Sequence, residues 1–169
     1  MICNEMTSAF NGQINAELYS AYLYLSMSAW FAANGLPGAA NWTKVQAKEE
    51  MTHADMIFSY LIDRDGKVEL EVIEKPEAQW ASPIDVFEAI LAHERKVTAL
   101  LNALMDEAIE YKDHAAKIFL QWFINEQVEE EASAKEVLDD MKMAAETKGG
   151  LFMIDRELAK RVFVAPVAN

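Results

Sequence analysis

The sequence predicts an all-α fold: four long helices in one bundle, one long crossover and a short fifth helix. Three observations carry this. Apolar residues recur every three or four positions through four long segments, the spacing of a single helix face. Glycine and proline are scarce, 6 and 4 in 169 residues, and nearly all lie at or between the breaks separating those segments. A non-periodic stretch, 64–81, stands between the second and third segments.

The first helix is expected over about 4–33, with Phe10, Ile14, Leu18, Ala21 and Leu25 as its apolar stripe. Asn34-Gly35-Leu36-Pro37 ends it, because glycine suits a left-handed cap and proline cannot continue a helix. The second helix, about 38–63, buries Trp42, Val45, Met56, Ile57, Tyr60 and Leu61. The short link makes the pair antiparallel. Asp65-Gly66-Lys67 then breaks the pattern. A structureless connection of this length needs a purpose in a single compact domain. The second helix, at 1.5 Å per residue, is roughly 40 Å long. The crossover reaches about 60 Å when extended, so it can return the chain along the whole bundle.

Ser82-Pro83-Ile84-Asp85 has the residues of a helix start: a capping hydroxyl, a first-turn proline and an early acid. The third helix is expected over about 82–111, burying Phe87, Leu91, Val97, Leu101, Leu104 and Ala108. Lys112-Asp113 make a tight turn, with Asp113 as cap. The fourth helix, about 113–146, passes through Phe119, Phe123, Leu138 and Met141 to Lys148-Gly149-Gly150. The fifth is expected over about 152–162, and the tail from Val164 is expected to be loose. One domain, 1–169, accounts for all of this.

The formal net charge of −13 argues against nucleic acid as a partner. Cys3, the only cysteine, permits no intrachain disulfide and fits a reducing, cytoplasmic setting. There is no signal-peptide pattern and no apolar run long enough to cross a membrane.

Each long helix carries an acid inside its apolar stripe. Glu17 lies between Ile14 and Leu18, and Glu94 between Leu91 and Val97. Glu50 precedes His53 and Ile57, and Glu130 follows Phe123 and Gln127. An unpaired buried carboxylate costs several kcal/mol, so four scattered acids would not be tolerated. Each lies near its helix midpoint, and midpoints of bundled helices meet at one level whichever way the helices run. Glu50 and His53, three apart, also share a face. Four carboxylates and an imidazole therefore converge, with no Arg or Lys among them. Oxygen-rich ligands with one imidazole suit a pair of iron, manganese or zinc ions. Glu49, Glu126 and Glu129 lie slightly outward; they form either a third cation site or a solvated acidic face. Tyr24 shares the Glu17 face, either as a hydrogen-bond or electron donor or as a core residue. His93 and His114 read as surface residues.

The segments Ala16-Glu17-Leu18-Tyr19-Ser20, Glu49-Glu50-Met51-Thr52-His53-Ala54, Leu120-Gln121-Trp122-Phe123, Asn125-Glu126-Gln127-Val128-Glu129-Glu130 and Phe152-Met153-Ile154-Asp155-Arg156-Glu157-Leu158 resemble bacterial non-haem ferritin over nearly the whole chain. The bundle with one crossover agrees with ferritin-like folds. The resemblance implies an octahedral shell of 24 copies that oxidises Fe(II) with O2 or peroxide and stores a ferric mineral. It implies that Glu17, Glu50 and His53 hold one iron, with Glu50 bridging, and that Glu94 and Glu130 hold the second, with Gln127 nearby. Glu49, Glu126, Glu129 and Glu130 match a third iron site, and Tyr24 matches a tyrosine beside the centre. The fifth helix would lie at the four-fold axes. The fourth helix reads Gln127-Val128-Glu129-Glu130 where bacterioferritin has a second Glu-x-x-His, which favours storage over a permanent di-iron cofactor. Met51 stands where bacterioferritin binds haem; interface packing is expected there, and no haem. Lys117 and Leu120 replace the acids that line the three-fold pores of animal ferritins. The alternative is a soluble di-iron oxidase or peroxidase that stores nothing.

Overall fold

Two side chains start the second half of the bundle. In the computed structural model, which describes residues 1–147 and 149–165, the Ser82 hydroxyl accepts the Asp85 amide at 3.2 Å. An Asp113 carboxylate oxygen accepts the Ala116 amide at 3.0 Å. Each satisfies an N–H that has no partner within its helix. The protein is all-α, with α1 (Asn4–Ala33), α2 (Pro37–Asp63), α3 (Pro83–Glu110), α4 (His114–Ala145) and α5 (Gly150–Leu158) among the described residues. None of these helices is long and apolar enough to cross a membrane.

The crossover follows α1 from end to end. Asn11 donates to the Lys67 carbonyl and accepts the Glu69 amide, both at 2.9 Å. Asn15 donates to the Val72 carbonyl at 3.2 Å, and Ser26 to the Glu77 carbonyl at 2.7 Å. Trp80 then packs edge-on against Trp30. The backbone of an irregular segment must find partners outside itself, and polar side chains on one face of α1 supply them. α3 therefore begins beside the end of α1, where Phe87 meets Phe31 and Trp42. It runs antiparallel to α1.

α5 starts and stops earlier than the apolar pattern suggests. Gly149 takes a left-handed turn (φ 82°) that launches the helix at Gly150. Beyond Leu158 the backbone turns onto α2, where Asn41 donates to the Arg161 carbonyl at 2.9 Å. Lys148 and residues 166–169, most of the tail expected to be loose, lie outside the described residues. α5 sits so close to α2 that a Cβ on Gly38 would lie 1.6 Å from the Asp155 carbonyl oxygen.

The core is divided. Leu23, Met27, Phe31, Trp42, Phe87, Ile90, Leu138 and Met141 belong to one apolar cluster. Phe10, Ile14, Ile57, Leu61, Val97, Leu101, Leu120 and Phe123 belong to another. Between them lies a layer of buried polar residues. Leu25 is a correction: it is 47% exposed, whereas Tyr24 is buried. The inner face of α1 runs through Ile14, Glu17, Ala21, Tyr24 and Ser28. Leu18, Tyr22 and Leu25 turn towards the outer side of the α1–α2 pair, where with Met51 and Ile73 they line an apolar cavity of about 430 Å³.

Two glycine substitutions are expected to act in opposite directions. Gly38→Ala forces α5 off α2 and destabilises by about 1–3 kcal/mol, as overpacking does. At Gly12, mid-helix, an added Cβ meets nothing within 4 Å, so Gly12→Ala stabilises by up to about 1 kcal/mol. Thermal unfolding of both variants beside the parent checks the pair of signs.

Candidate metal centre

The polar layer is built by four helices, each contributing at mid-height. Glu17 (α1), Glu50 and His53 (α2), Glu94 (α3), and Gln127 and Glu130 (α4) are all buried. Glu17, Glu50 and His53 offer ligand atoms within 4.8 Å of one another. So do His53, Glu126 and Glu130. His53 belongs to both groups, so the two share an edge.

Hydrogen bonds one helical turn away orient the ligands. Gln13 donates to Glu17 Oε1 at 2.7 Å, and Gln46 to Glu50 Oε1 at 3.1 Å. His53 Nδ1 lies 3.3 Å from Glu50 Oε2. On the far side the Tyr24 hydroxyl donates to Glu94 Oε1. Gln127 Nε2 contacts the Glu94 carbonyl and carboxylate at 3.1 and 3.2 Å. Glu17 Oε2 and Gln46 Oε1 are buried and accept nothing. A buried carboxylate oxygen without a donor marks a place for a cation.

The electrostatics tell the same story. Burial, then the charge of Glu50, pushes Glu17 up to about 8, and the same two causes push Glu130 to about 8. Burial, Glu50 and Glu130 hold Glu94 well above the carboxylate range. For Glu50 burial acts upward, but hydrogen bonding and charge attraction from His53 outweigh it and lower its pKa. Burial alone would lower His53, yet Glu50 and its acidic neighbours raise it to about 10. One imidazolium–carboxylate pair is thus surrounded by carboxyls that retain protons. Divalent cations can replace those protons.

The expected residues divide unevenly. Glu17, Glu50 and His53 come together, and Glu130 joins His53. Glu94 joins neither group; Tyr24 and Gln127 occupy it. Of the outer acids, Glu126 is half-buried beside His53 and Glu130, whereas Glu129 is exposed. Glu49 is taken by Arg161, whose Nη2 pairs with its Oε2. His93 is a correction: it is half-buried rather than on the surface, 2.8 Å from the Ser20 hydroxyl and edge-on to Tyr24. The sequence reading missed Arg161, which lies beyond the last helix. It gave no role to Trp122, whose ring packs 5.4 Å from that of His53, nor to the two supporting glutamines. Gln13 and Gln46 each stand four residues before an acid, a spacing that could have disclosed them.

Residues 7–144 match the family model of the ferritin-like domain. The chain is 43% identical over 161 residues to a bacterial non-heme ferritin of Bacteroides fragilis, covering 95% of this chain and 100% of the relative. It is 39% identical over 156 residues to one from Campylobacter jejuni, covering 92% and 93%. Among solved structures it resembles an open pore ferritin of the archaeon Archaeoglobus fulgidus, with TM-score 0.94 and 44% identity over 96% of this chain and 99% of that one.

A pH dependence follows for the metal-free protein. Glu17 and Glu130 keep their protons up to about 8 when folded but ionise near 4.5 when unfolded. His53 likewise holds its proton to about 10 against 6.5 unfolded. Where the folded state binds more protons, stability falls as pH rises. The melting temperature in chelator is expected to drop from about pH 5 to about pH 8. Glu17→Gln should flatten that slope, as differential scanning calorimetry can test.

Proposed function

The chain belongs to the ferritin family, and on that premise we propose that it takes up Fe(II), oxidises it at the buried centre and stores the ferric product inside a hollow shell of its own copies. The supporting observation is the cation-deficient polar layer: buried carboxylates at one height, one imidazole among them, and a Glu17 oxygen with no donor.

Iron is the substrate here. Two Fe(II) ions surrender two electrons to O2, and two protons complete a molecule of hydrogen peroxide beside two Fe(III). Glu17, Glu50 and His53 hold the first iron, with Glu50 placed between the two positions. Glu94, Glu130 and the neutral amide oxygen of Gln127 hold the second. Carboxylates favour the ferric state because a harder, more highly charged ion gains more from anionic oxygen. Protons carried by Glu17 and Glu130 leave as metal arrives. Tyr24, kept a phenol by burial and by the charge of Glu94, fixes Glu94 and stands as a potential electron donor. Exposure increases along α4 from Glu130 through Glu126 to Glu129, a graded acidic route outward for the product.

Assembly has its own supporting surfaces. Tyr22, Leu25 and Met51 present an apolar face on the α1–α2 side, and Phe152 and Met153 another on α5. Exposed apolar patches of this kind mark interaction sites. We assign both to contacts between copies in an octahedral 24-subunit shell, in the cytoplasm, without haem at Met51. The second reading, a small di-iron oxidase without storage, needs at most one of these two faces.

Glu50→Ala with His53→Ala is expected to slow Fe(II) oxidation by at least about tenfold, the loss typical of damaged metal sites. Stopped-flow mixing with O2 measures this, and wild-type speed in the double variant would falsify the assignment. Gel filtration read at protein and iron wavelengths should place both signals together near 24 times the 19.0 kDa chain. A dimer carrying the activity would favour the small oxidase.

A further inference from the structure

α5 and the segment after it are strapped along α2 by four successive contacts. Asp155 Oδ1 accepts the Ala39 amide at 2.9 Å. Asn41 donates to the Arg161 carbonyl at 2.9 Å. The Arg161 guanidinium lies 4.3 Å over the Trp42 ring and ends on Glu49. The side chains of Arg161 and Glu49 are only 21% and 17% exposed. Arg161 Nη1 is buried and has no hydrogen-bond partner among the described residues.

A guanidinium is a permanent cation with no acceptor atoms, so a buried N–H left unmatched marks a compromise. Arg161 reaches one carboxylate and leaves half its fork unused. Glu49 adjoins Glu50 in sequence and lies within electrostatic range of His53 and Glu126. Its charge also reaches Glu130, which with His53 and Glu126 forms the second group. It is the one acid near the outer edge of the centre that the chain supplies with its own counter-ion.

We propose that Arg161 occupies the outer cation position beside the centre, and that a divalent metal recruits Glu49 only by displacing this guanidinium and loosening the strap. The proposal rests on the centre binding metal as described above. Arg161 acts as a positioning residue. It withholds Glu49 from metals at Glu126 and Glu130 and keeps an outer ion weakly bound. Ion exchange at this place links metal load to the docking of residues 159–163.

Anaerobic titration calorimetry of the assembled protein with Zn(II), which is redox-inert, tests this. The parent is expected to bind two ions tightly and a third weakly. Arg161→Gln should tighten the third by about two- to fivefold, the fold-change carried by one partly screened ion pair, without altering the first two. Arg161→Lys should restore weak binding, and Arg161→Gln with Glu49→Gln should cancel the gain. A merely structural anchor would lower the melting temperature and leave the third affinity unmoved. In the parent, amide hydrogen exchange at 159–163 should quicken on adding the third equivalent, a readout that needs no variant. Two tight ions with a third insensitive to Arg161→Gln, or a strap whose exchange ignores metal, overturns this inference alone. A parent that binds no Zn(II) overturns the reading of the centre with it.

Discussion

The structure depends on gathering acids in the middle of a bundle, where burial and the charge of Glu50 leave Glu17 and Glu130 holding their protons up to about 8. Carboxylates from all four long helices meet at one height, where water cannot screen them and where no Arg or Lys among them offsets the charge. Desolvation of so many acids would normally turn side chains outward. It is contained because the polar layer is sandwiched. The Phe31–Phe87–Trp42 contacts close it on one side and the Phe10–Phe119–Tyr60 stack on the other. Removal of apolar surface above and below supplies what the layer itself costs.

Around the charges, neutral donors do most of the holding. Gln13, Gln46, Gln127 and Tyr24 each engage one carboxylate. Such groups fix the direction of an oxygen without neutralising it. A lysine in their place would satisfy the charge and occupy the cation's position. The contrast with Glu49 is instructive, because that acid does have an arginine. The inner acids meet neutral donors, whereas one outer acid, Glu49, is half of an ion pair.

Most of the architecture was legible in the sequence for reasons that are local. Ser82 and Asp113 announce helix starts through their own hydroxyl and carboxylate, and both are caps. The height of the centre was readable because helix rise is constant, so Glu17, Glu50, Glu94 and Glu130 could be levelled by counting. Errors arose where helical phase had to be known to better than one position. Leu25 and Tyr24 are adjacent, and the buried face chose Tyr24. His93, beside Glu94, is drawn in by the Ser20 hydroxyl from another helix, which no spacing on α3 reveals. Arg161 was out of reach altogether. Its partner is 112 residues earlier, and the contact exists only because α5 folds back over Gly38.

The two halves of the centre are unequal, and the inequality has a physical direction. On α2 the Glu50–His53 pair presents charge and imidazole in a single turn, oriented by Gln46 and flanked by Trp122. On α4 the corresponding place holds Gln127, a neutral amide that already spends its donors on Glu94. On the proposed function, an ion between these halves would be held more firmly on the α2 side, where charged and imidazole ligands stand. Two of the three outer acids, Glu126 and Glu129, also leave from α4. Weak holding and an outward path thus coincide on one helix. A centre meant to retain both metals would place its second histidine there. One meant to pass oxidised metal onward gains by its absence, provided the ion does not stall at the rim. On the proposed function, the Arg161 guanidinium on Glu49 would keep the rim from becoming a trap, since an outward-moving ion would find that carboxylate already occupied.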